Sequence, residues 1–524
     1  MMRAACIALL LAGCGGATIG TGTPTPVGSL RPDDRVLLGD FSRVNAVASS
    51  FDRVYVAYPT AIGIWRPNER RWDVPRSPPN PRDLEGVRAA VIDPLDQSAW
   101  FATDNGWLHY SIGGDRWDRG VLPGRVLQIA TNPFDPARGI WFRTTAGWVV
   151  QQSIGPAMLA SPPSTLKLAP TIDDAAHDLP QLRALGPTLL VGPRLQPGQF
   201  TGAAPSPSGA GWYLGTTNQG LLFFDRTAGA PTPLGLGIPS ELVGAVLATG
   251  GGVWVATDAD YRTGAAVTHV SGDLGESRSL HGGAAQGLPF DAVRQLVAGE
   301  RVLWAATDRG LMRLGVDDGR VTRFDEGRDL PDNRLTAIVQ HRGQIIAATL
   351  RGLSTVDASD ALVRLVPAFQ DAATALASRG DTVWVGTTRG LFALVDGSND
   401  LRMPEGLRVL AEGRATILGI GYVADTLVAM TTDQLLWRNP ATGAWNGGPI
   451  LSTQMGRLRV LDASEHGLWV GGDRGAALVY PGAGIARSLT APGDLPDGVT
   501  GIANDGNFLW IGTRAGLVRF RMTQ

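Results

Sequence analysis

The stretch Asn507–Phe520, NFLWIGTRAGLVRF, decides the fold. Apolar residues alternate up to Thr513, the pattern breaks over Arg514–Gly516, and it resumes at Leu517. The alternation reads as a strand, the x-x-Gly after Thr as a tight turn, and Gly-Leu onward as the returning strand. Upstream lie AWFATDNGWL, IWFRTTAGWV, WYLGTTNQGLL, VWVATDAD, LWAATDRGLM, IIAATLRGLS, VWVGTTRGLF, LVAMTTDQLL and LWVGGDRGAA, with a weaker VYVAYPTAIGIW opening the series. The segment is one of about eleven copies, so the motif itself is structural rather than catalytic. Equivalent positions are Tyr55, Trp100, Trp141, Trp212, Trp254, Trp304, Ile346, Trp384, Val428, Trp469 and Trp510, spaced 38 to 50 residues apart except for one gap of 71. A period near forty is that of one four-stranded β-propeller blade per repeat.

Within a copy the Trp lies two residues before a small Gly or Ala, on the same face of its strand. A large ring beside a close-approach site predicts packing between blades, in preference to an aromatic ligand cage. Gly106, Gly147, Gly220, Gly310, Gly352, Gly390, Gly475 and Gly516 take the third turn position, where a left-handed backbone would exclude a side chain. Trp72, Trp117 and Trp445 each follow their motif position by 17 residues, which marks a further, outer strand. Between copies, GLPFDAVRQL, DLPDNRLTAI, DLPDGVTGIA and GIPSELVGAV use Pro to set the crossing to the next innermost strand.

These marks together resemble the two-component-regulator propeller repeats, and residues 493–520, GDLPDGVTGIANDGNFLWIGTRAGLVRF, carry nearly the full pattern. The resemblance covers most of 45–524 and implies a periplasmic, sensor-like propeller. It implies fold more than activity, because propellers host unrelated functions. Only Arg521–Gln524 follow Phe520, so a stand-alone protein rather than a sensor fused to a kinase is the expectation.

The expected fold class is therefore all-β, a propeller of about 11–12 four-stranded blades. That exceeds the four to eight of a usual ring. Two rings follow, with one large or nested ring as the alternative. Residues 34–238 would hold four or five blades and residues 239–524 about seven. The last copy lacks an outer strand, which RVLLGDF, residues 35–41, could supply. Residues 151–200 are the least repetitive stretch; within them LRALGPTLLVGPR (182–194) resembles a decayed copy, and TIDDAAHDLPQL (171–182) reads as a short helix begun by Thr171. This insert is either a functional loop on a rigid scaffold or a cap between rings.

The chain opens MMRAACIALLLAGCGG, with Arg3 before an apolar run, Ala4 to Ala12, too short to span a bilayer. Leu11-Ala12-Gly13-Cys14 resembles the bacterial lipobox, which implies a signal peptide over 1–13, lipidation of Cys14 and a flexible tether over 14–33. Gly15 in place of an acidic residue favours an outer-membrane lipoprotein, facing the periplasm or the cell surface. Two acyl chains hold stably where one is marginal. The two cysteines are Cys6 and Cys14, so the mature domain is expected to carry no disulfide.

A formal net charge of -2 from 46 basic and 48 acidic residues gives no whole-chain attraction for nucleic acid or an anionic membrane. The histidines, His109, His177, His269, His281, His341 and His466, show no short-range metal spacing. Asp258 and Asp260, in TDADYRTG (257–264), suit a hard cation in principle, but without a complete calcium loop they read as solvated. Asp104, Asp308 and Asp473 recur with the blades, which suggests side-chain bonding of the turn rather than acid and base roles. The expectation is a non-catalytic binding module without cofactor or metal, recognising a small extracytoplasmic ligand or an envelope protein through loops at a ring face. An envelope assembly scaffold is the first alternative, and a propeller hydrolase or lyase with a site at the ring funnel is the second.

Overall fold

The computed structural model describes residues 29–523 except 153–154, 184–189, 192–196, 229, 260–264, 282–291, 329, 357–361, 367, 399 and 409–414. The signal peptide, Cys14, most of the tether, Asp260, and much of the decayed copy lie outside the described residues.

The repeats fold into eleven antiparallel sheets, nine of them sequential meanders, while blade 3 gains a fifth strand on its inner edge and blade 11 takes its outer strand from the N-terminus. In chain order they are blade 1 (Ala46–Asp73), blade 2 (Val87–Val121), blade 3 (Val126–Leu168), blade 4 (Phe200–Leu234), blade 5 (Val243–His281) and blade 6 (Val293–Phe324). Blades 7 to 11 follow over Leu335–Leu365, Ala373–Val395, Gly419–Ile450, Leu458–Thr490 and Val499–Thr523. Most have four strands; blade 8 has three among the described residues, short of the four expected.

From blade 1 to 3 and from blade 5 to 11, the first strand of each blade lies beside the first strand of the next, which makes it the innermost. Blades 5 to 11 form one ring, closed where Val243–Thr249 lies beside Val499–Asn504. Its seventh blade is completed by the N-terminal strand Ser29–Leu38, which pairs Leu37 with Val518 and Leu38 with Leu517. Sharing one blade between the chain ends satisfies an otherwise open edge and buries Leu30, Val36, Leu37 and Leu38, each worth about 1.5–3 kcal/mol of transfer energy. The strand begins at Ser29, so the expected tether over 14–33 is shorter than its predicted limit, and residues 34–38 belong by pairing with the C-terminal ring. Backbone pairing with Thr523 and Met522 supplies the order that composition did not suggest.

Blades 4, 1, 2 and 3 follow one another, inner strand beside inner strand, in a second, four-blade array. The insert extends blade 3 on both edges: Met158–Leu159 pairs outside, and Lys167–Leu168 pairs with the innermost strand. Helix α1 (Ile172–Asp178) starts with a reciprocal capping box between Thr171 and Asp174. Its Ala175 and Ala176, with Leu179, Leu182 and Leu190, pack against Trp212, Leu214 and Phe224 of blade 4. Asp178 accepts hydrogen bonds from Trp212 Nε1 (3.1 Å) and Arg226 (2.7 Å).

The repeated residues are explained by packing. Trp100, Trp141, Trp212, Trp254, Trp304, Trp384, Trp469 and Trp510 are all buried. Seven of the eight motif glycines have positive φ, from Gly220 at 69° to Gly475 at 143°. Gly106 departs from the expectation: it is not among the positive-φ residues, and its need for glycine comes from contact, since a Cβ would sit 2.1 Å from the Gly120 carbonyl oxygen. The motif Thr closes the turn, as when Thr307 Oγ1 donates to the Gly310 carbonyl (2.7 Å) and accepts from Arg309 N–H (3.1 Å). The turn aspartates do other work: Asp104, Asp308 and Asp473 receive Arg88, Arg294 and Arg459 from the inner strand of their own blades. The short Thr side chain fills the place expected for Asx bonding, leaving the carboxylates for the ion pairs.

The rings sit side by side with like faces together. On the face holding the Thr-x-x-Gly turns, Asp40 bridges Ile238 in parallel. On the opposite face, which holds the turns from inner to second strand, Arg71 meets Asp273 at 3.3 Å and Trp72 N–H donates to the Gly275 carbonyl at 3.3 Å. A shared core of Val36, Phe41, Tyr58, Trp72, Val253 and Trp510, among others, fills the junction.

Candidate functional site: the channel of the seven-blade ring

Seven parallel inner strands enclose a channel of about 480 Å³ along the ring axis. Pairing with the second strand aligns the seven level by level. Opposite the motif positions Trp254, Trp304, Ile346, Trp384, Val428 and Trp510 stand Leu247, Val297, Val339, Ala377, Gly421 and Ala503. Opposite Trp469 stands Asp462. One carboxyl thus enters a level that is otherwise aliphatic or small.

Asp462 keeps part of its surface open to the channel, but its Oδ2 is closed off from solvent and has no hydrogen-bond partner. Burial pushes its pKa up to about 7, and a hydrogen bond from the Asn504 backbone N–H offsets part of that rise. The carboxyl is accordingly half protonated near neutrality, able to accept or donate one hydrogen bond.

One mouth of the channel is polar and tied. Thr500 Oγ1 donates to the Val243 carbonyl (2.7 Å), Thr374 to that of Ile417, and Thr336 to that of Ala373, each crossing to the next blade. Gln295 Oε1 accepts from Ile338 N–H at 2.9 Å. Arg294 and Arg459 also line the channel, and their charges are met by Asp308 and Asp473.

A second cavity, about 710 Å³, opens between the rings, lined by Arg70, Arg71, Gly272, Asp273, Phe508 and Arg521 among others. Beneath it Arg519 donates to the Gly272 carbonyl (2.6 Å) and stacks 4.8 Å from the Phe508 ring centre. Burial lowers its pKa to about 10, with Arg521 adding to the effect. It ties two turns together across the cleft floor.

His341 bridges blades 7 and 8, with Nδ1 2.7 Å from Ser378 Oγ and Nε2 2.8 Å from Asp396 Oδ1. The residue types match a nucleophilic triad, but the carboxylate is 33% exposed and paired to Arg342 at 2.5 Å. The acid is shared with Arg342, and neither cavity is lined by the three residues. They act as an inter-blade clamp. His109 stacks on Trp100 (4.4 Å) and His269 lies against Trp254 (4.9 Å). Among the described residues no group of three or more metal-ligating side chains gathers. Asp258 has a buried Oδ1 and a pKa raised by burial.

No motif Trp or Gly lines the channel; Trp469 backs Asp462 from the second strand. The sequence carried a signal for Asp462: an acid where other copies alternate to an apolar or small residue. His341, Ser378 and Asp396 carried none, since 37 and 55 residues separate the partners.

No family model matches the chain. No curated protein matches it either. Among solved structures, it is similar to PorZ, a bacterial surface component of the type-IX secretion system of Porphyromonas gingivalis, at TM-score 0.46 and 14% identity over 93% of this chain and 72% of that one. It is similar to the extracellular domain of BT3049 from B. thetaiotaomicron, assigned as a hybrid two-component system, at TM-score 0.43 and 13% identity. That match covers 90% of this chain and 60% of the other. The extracellular domain of BT4673 from the same organism matches at TM-score 0.40 and 13% identity, over 94% and 68%. Likeness at this level bears on neither ligand nor reaction. Among the described residues no helix is long and apolar enough to cross a membrane.

Proposed function

We propose that the chain is a lipid-anchored binding module of the bacterial cell envelope, holding a small extracytoplasmic ligand in the channel of its seven-blade ring. The observation that carries the reading is Asp462, the one carboxyl among the described residues lining the channel, at a level where the other six inner strands are apolar or small. The part of Asp462 open to the channel offers a ligand hydroxyl or amine a hydrogen-bonding carboxyl. Cys14 at the end of the apolar leader supports the anchor, and the sensor-like repeat pattern supports the extracytoplasmic role. The reading includes no reaction: the titratable groups lining the channel are Arg294, Arg459 and Asp462, and aspartates already neutralise both arginines.

The test is purification of the lipidated protein from its own membranes, with cross-linking and mass analysis of what accompanies it. A small molecule retained by the native chain and lost from Asp462→Leu supports the channel site. A stoichiometric envelope protein, recovered equally with both chains and without a small molecule, overturns it in favour of a scaffold.

A further inference from the structure

We propose that the face carrying the turns from inner to second strand rests on the bilayer surface, with Phe51, Leu95 and Phe134 inserted into its interface. The proposal rests on the lipid-anchor reading and adds the orientation of the protein on its membrane.

Three consecutive blades each expose one large apolar side chain at the same structural position. Phe51 is 74% exposed in the turn of blade 1, Leu95 68% in that of blade 2, and Phe134 82% in that of blade 3. The three blades are neighbours, inner strand beside inner strand, and Tyr55 of blade 1 donates to the Gln97 carbonyl of the blade 2 turn (3.2 Å). In the seven-blade ring the same position holds Gly250–Gly251, Glu300–Arg301, Arg342–Gly343, Gly380–Asp381, Ala424–Asp425, Glu465–His466 and Asp505–Asn507. On the opposite face the turns of blades 2, 6 and 10 carry Asp104–Asn105, Asp308–Arg309 and Asp473–Arg474. Large exposed apolar tips at three successive equivalent turns mark a contact surface.

The chain's own exit says what covers it. Ser29 pairs with Thr523, at the end of the strand whose other end, Leu517, pairs with Leu38 by the Thr-x-x-Gly turn. Met522 N–H donates to the Asn507 carbonyl, in the turn from inner to second strand of blade 11. The chain therefore leaves on the face of the apolar tips. Because Arg71 of blade 1 and Asp273 of blade 5 meet on that same face, the two rings share it. Cys14 precedes Ser29 by 15 residues, a reach of at most about 54 Å. A bilayer holding the Cys14 lipid is within reach of this face, and Phe and Leu side chains favour its interface. Asp52 pairs with Arg53 beside Phe51 and Asp135 with Arg138 beside Phe134, while Asp93 and Asp96 accept backbone N–H groups in the Leu95 turn, so the contact does not call for anionic lipid.

The test uses the lipidated full chain in phosphatidylcholine vesicles, with Phe51→Cys, Leu95→Cys or Phe134→Cys carrying an environment-sensitive fluorophore. Val363→Cys, on the outer strand of blade 7, is the control. The expected result is a blue shift and at least twofold quenching by lipids bearing nitroxide on their acyl chains at all three positions, and neither at Val363. Protein that sediments with the vesicles while all three labels stay in water overturns the docking and leaves the anchor. Protein that does not sediment overturns the anchor and the orientation with it. Protection that needs added envelope proteins also overturns the proposal and assigns the tips to a protein partner.

Discussion

Asp462 ties the stability of the seven-blade ring to pH in a direction opposite to that of an ordinary salt-bridged carboxylate. In the unfolded chain its pKa is the ordinary 3.8, and in the fold burial lifts it to about 7. Between those values the folded state holds the proton and the unfolded state has lost it, so stability falls as pH rises. The decline starts near the unfolded pKa and ends above the folded one. A gap of about three pH units corresponds to at most about 4 kcal/mol, at 1.36 kcal/mol per unit. Asp462→Leu places at this level the residue that Leu247 already provides in blade 5, and removes the titration. Thermal unfolding of both chains from pH 4.5 to 8.5 measures the difference. Asp93 and Asp258, also raised by burial, are common to both chains and cancel. The variant should gain on the native protein as pH rises, by up to about 8 °C at roughly 2 °C per kcal/mol for a ring of this size. Parallel curves for the two chains would refute the assignment of a buried, proton-holding carboxyl.

Trp510→Ala removes a ring that is 0% exposed at the junction of the two propellers, and should cost about 3–5 kcal/mol in denaturant unfolding. A loss under 1 kcal/mol would contradict the packing role. Gly475→Ala places a Cβ 2.0 Å from the Leu489 carbonyl oxygen at a φ of 143°, so a drop in Tm and earlier proteolysis of blade 10 are expected, whereas Gly113→Ala, with open space around it, should leave Tm unchanged. Thr307→Val keeps the shape of the turn but removes its bonds to Gly310 and Arg309, and should lower stability by about 1–2 kcal/mol in urea titration.

The architecture was legible because repetition multiplies weak signals. A single LWIGTRAGL is ambiguous; eleven spaced near forty residues specify a blade, and the seven copies from Trp254 to Trp510 specify a ring. The shared blade was legible at RVLLGDF because an apolar strand without partners faced a blade without its outer strand. Where the reading went astray, a local rule lost to a neighbouring element. Gly106 answers to the Gly120 carbonyl and not to its own φ, and the turn aspartates answer to arginines 14 or 16 residues earlier. The beginning of the N-terminal strand was hidden because its partner, Met522 and Thr523, lies at the far end of the chain.

The sequence by itself determined the local chemistry: strand alternation, turn glycines, the capped helix at Thr171 and the blade period, all set by backbone sterics and side-chain pattern within a few residues. Only the tertiary structure decided which inner strands share a channel and that Asp462 is the one carboxyl among the described residues lining it. It also decided that His341 spends both nitrogens bridging two blades, and that Phe51, Leu95 and Phe134 share a face with the exit of the chain. Those juxtapositions arise from ring closure, which brings residues hundreds of positions apart, such as Val243 and Thr500, within one hydrogen bond of each other.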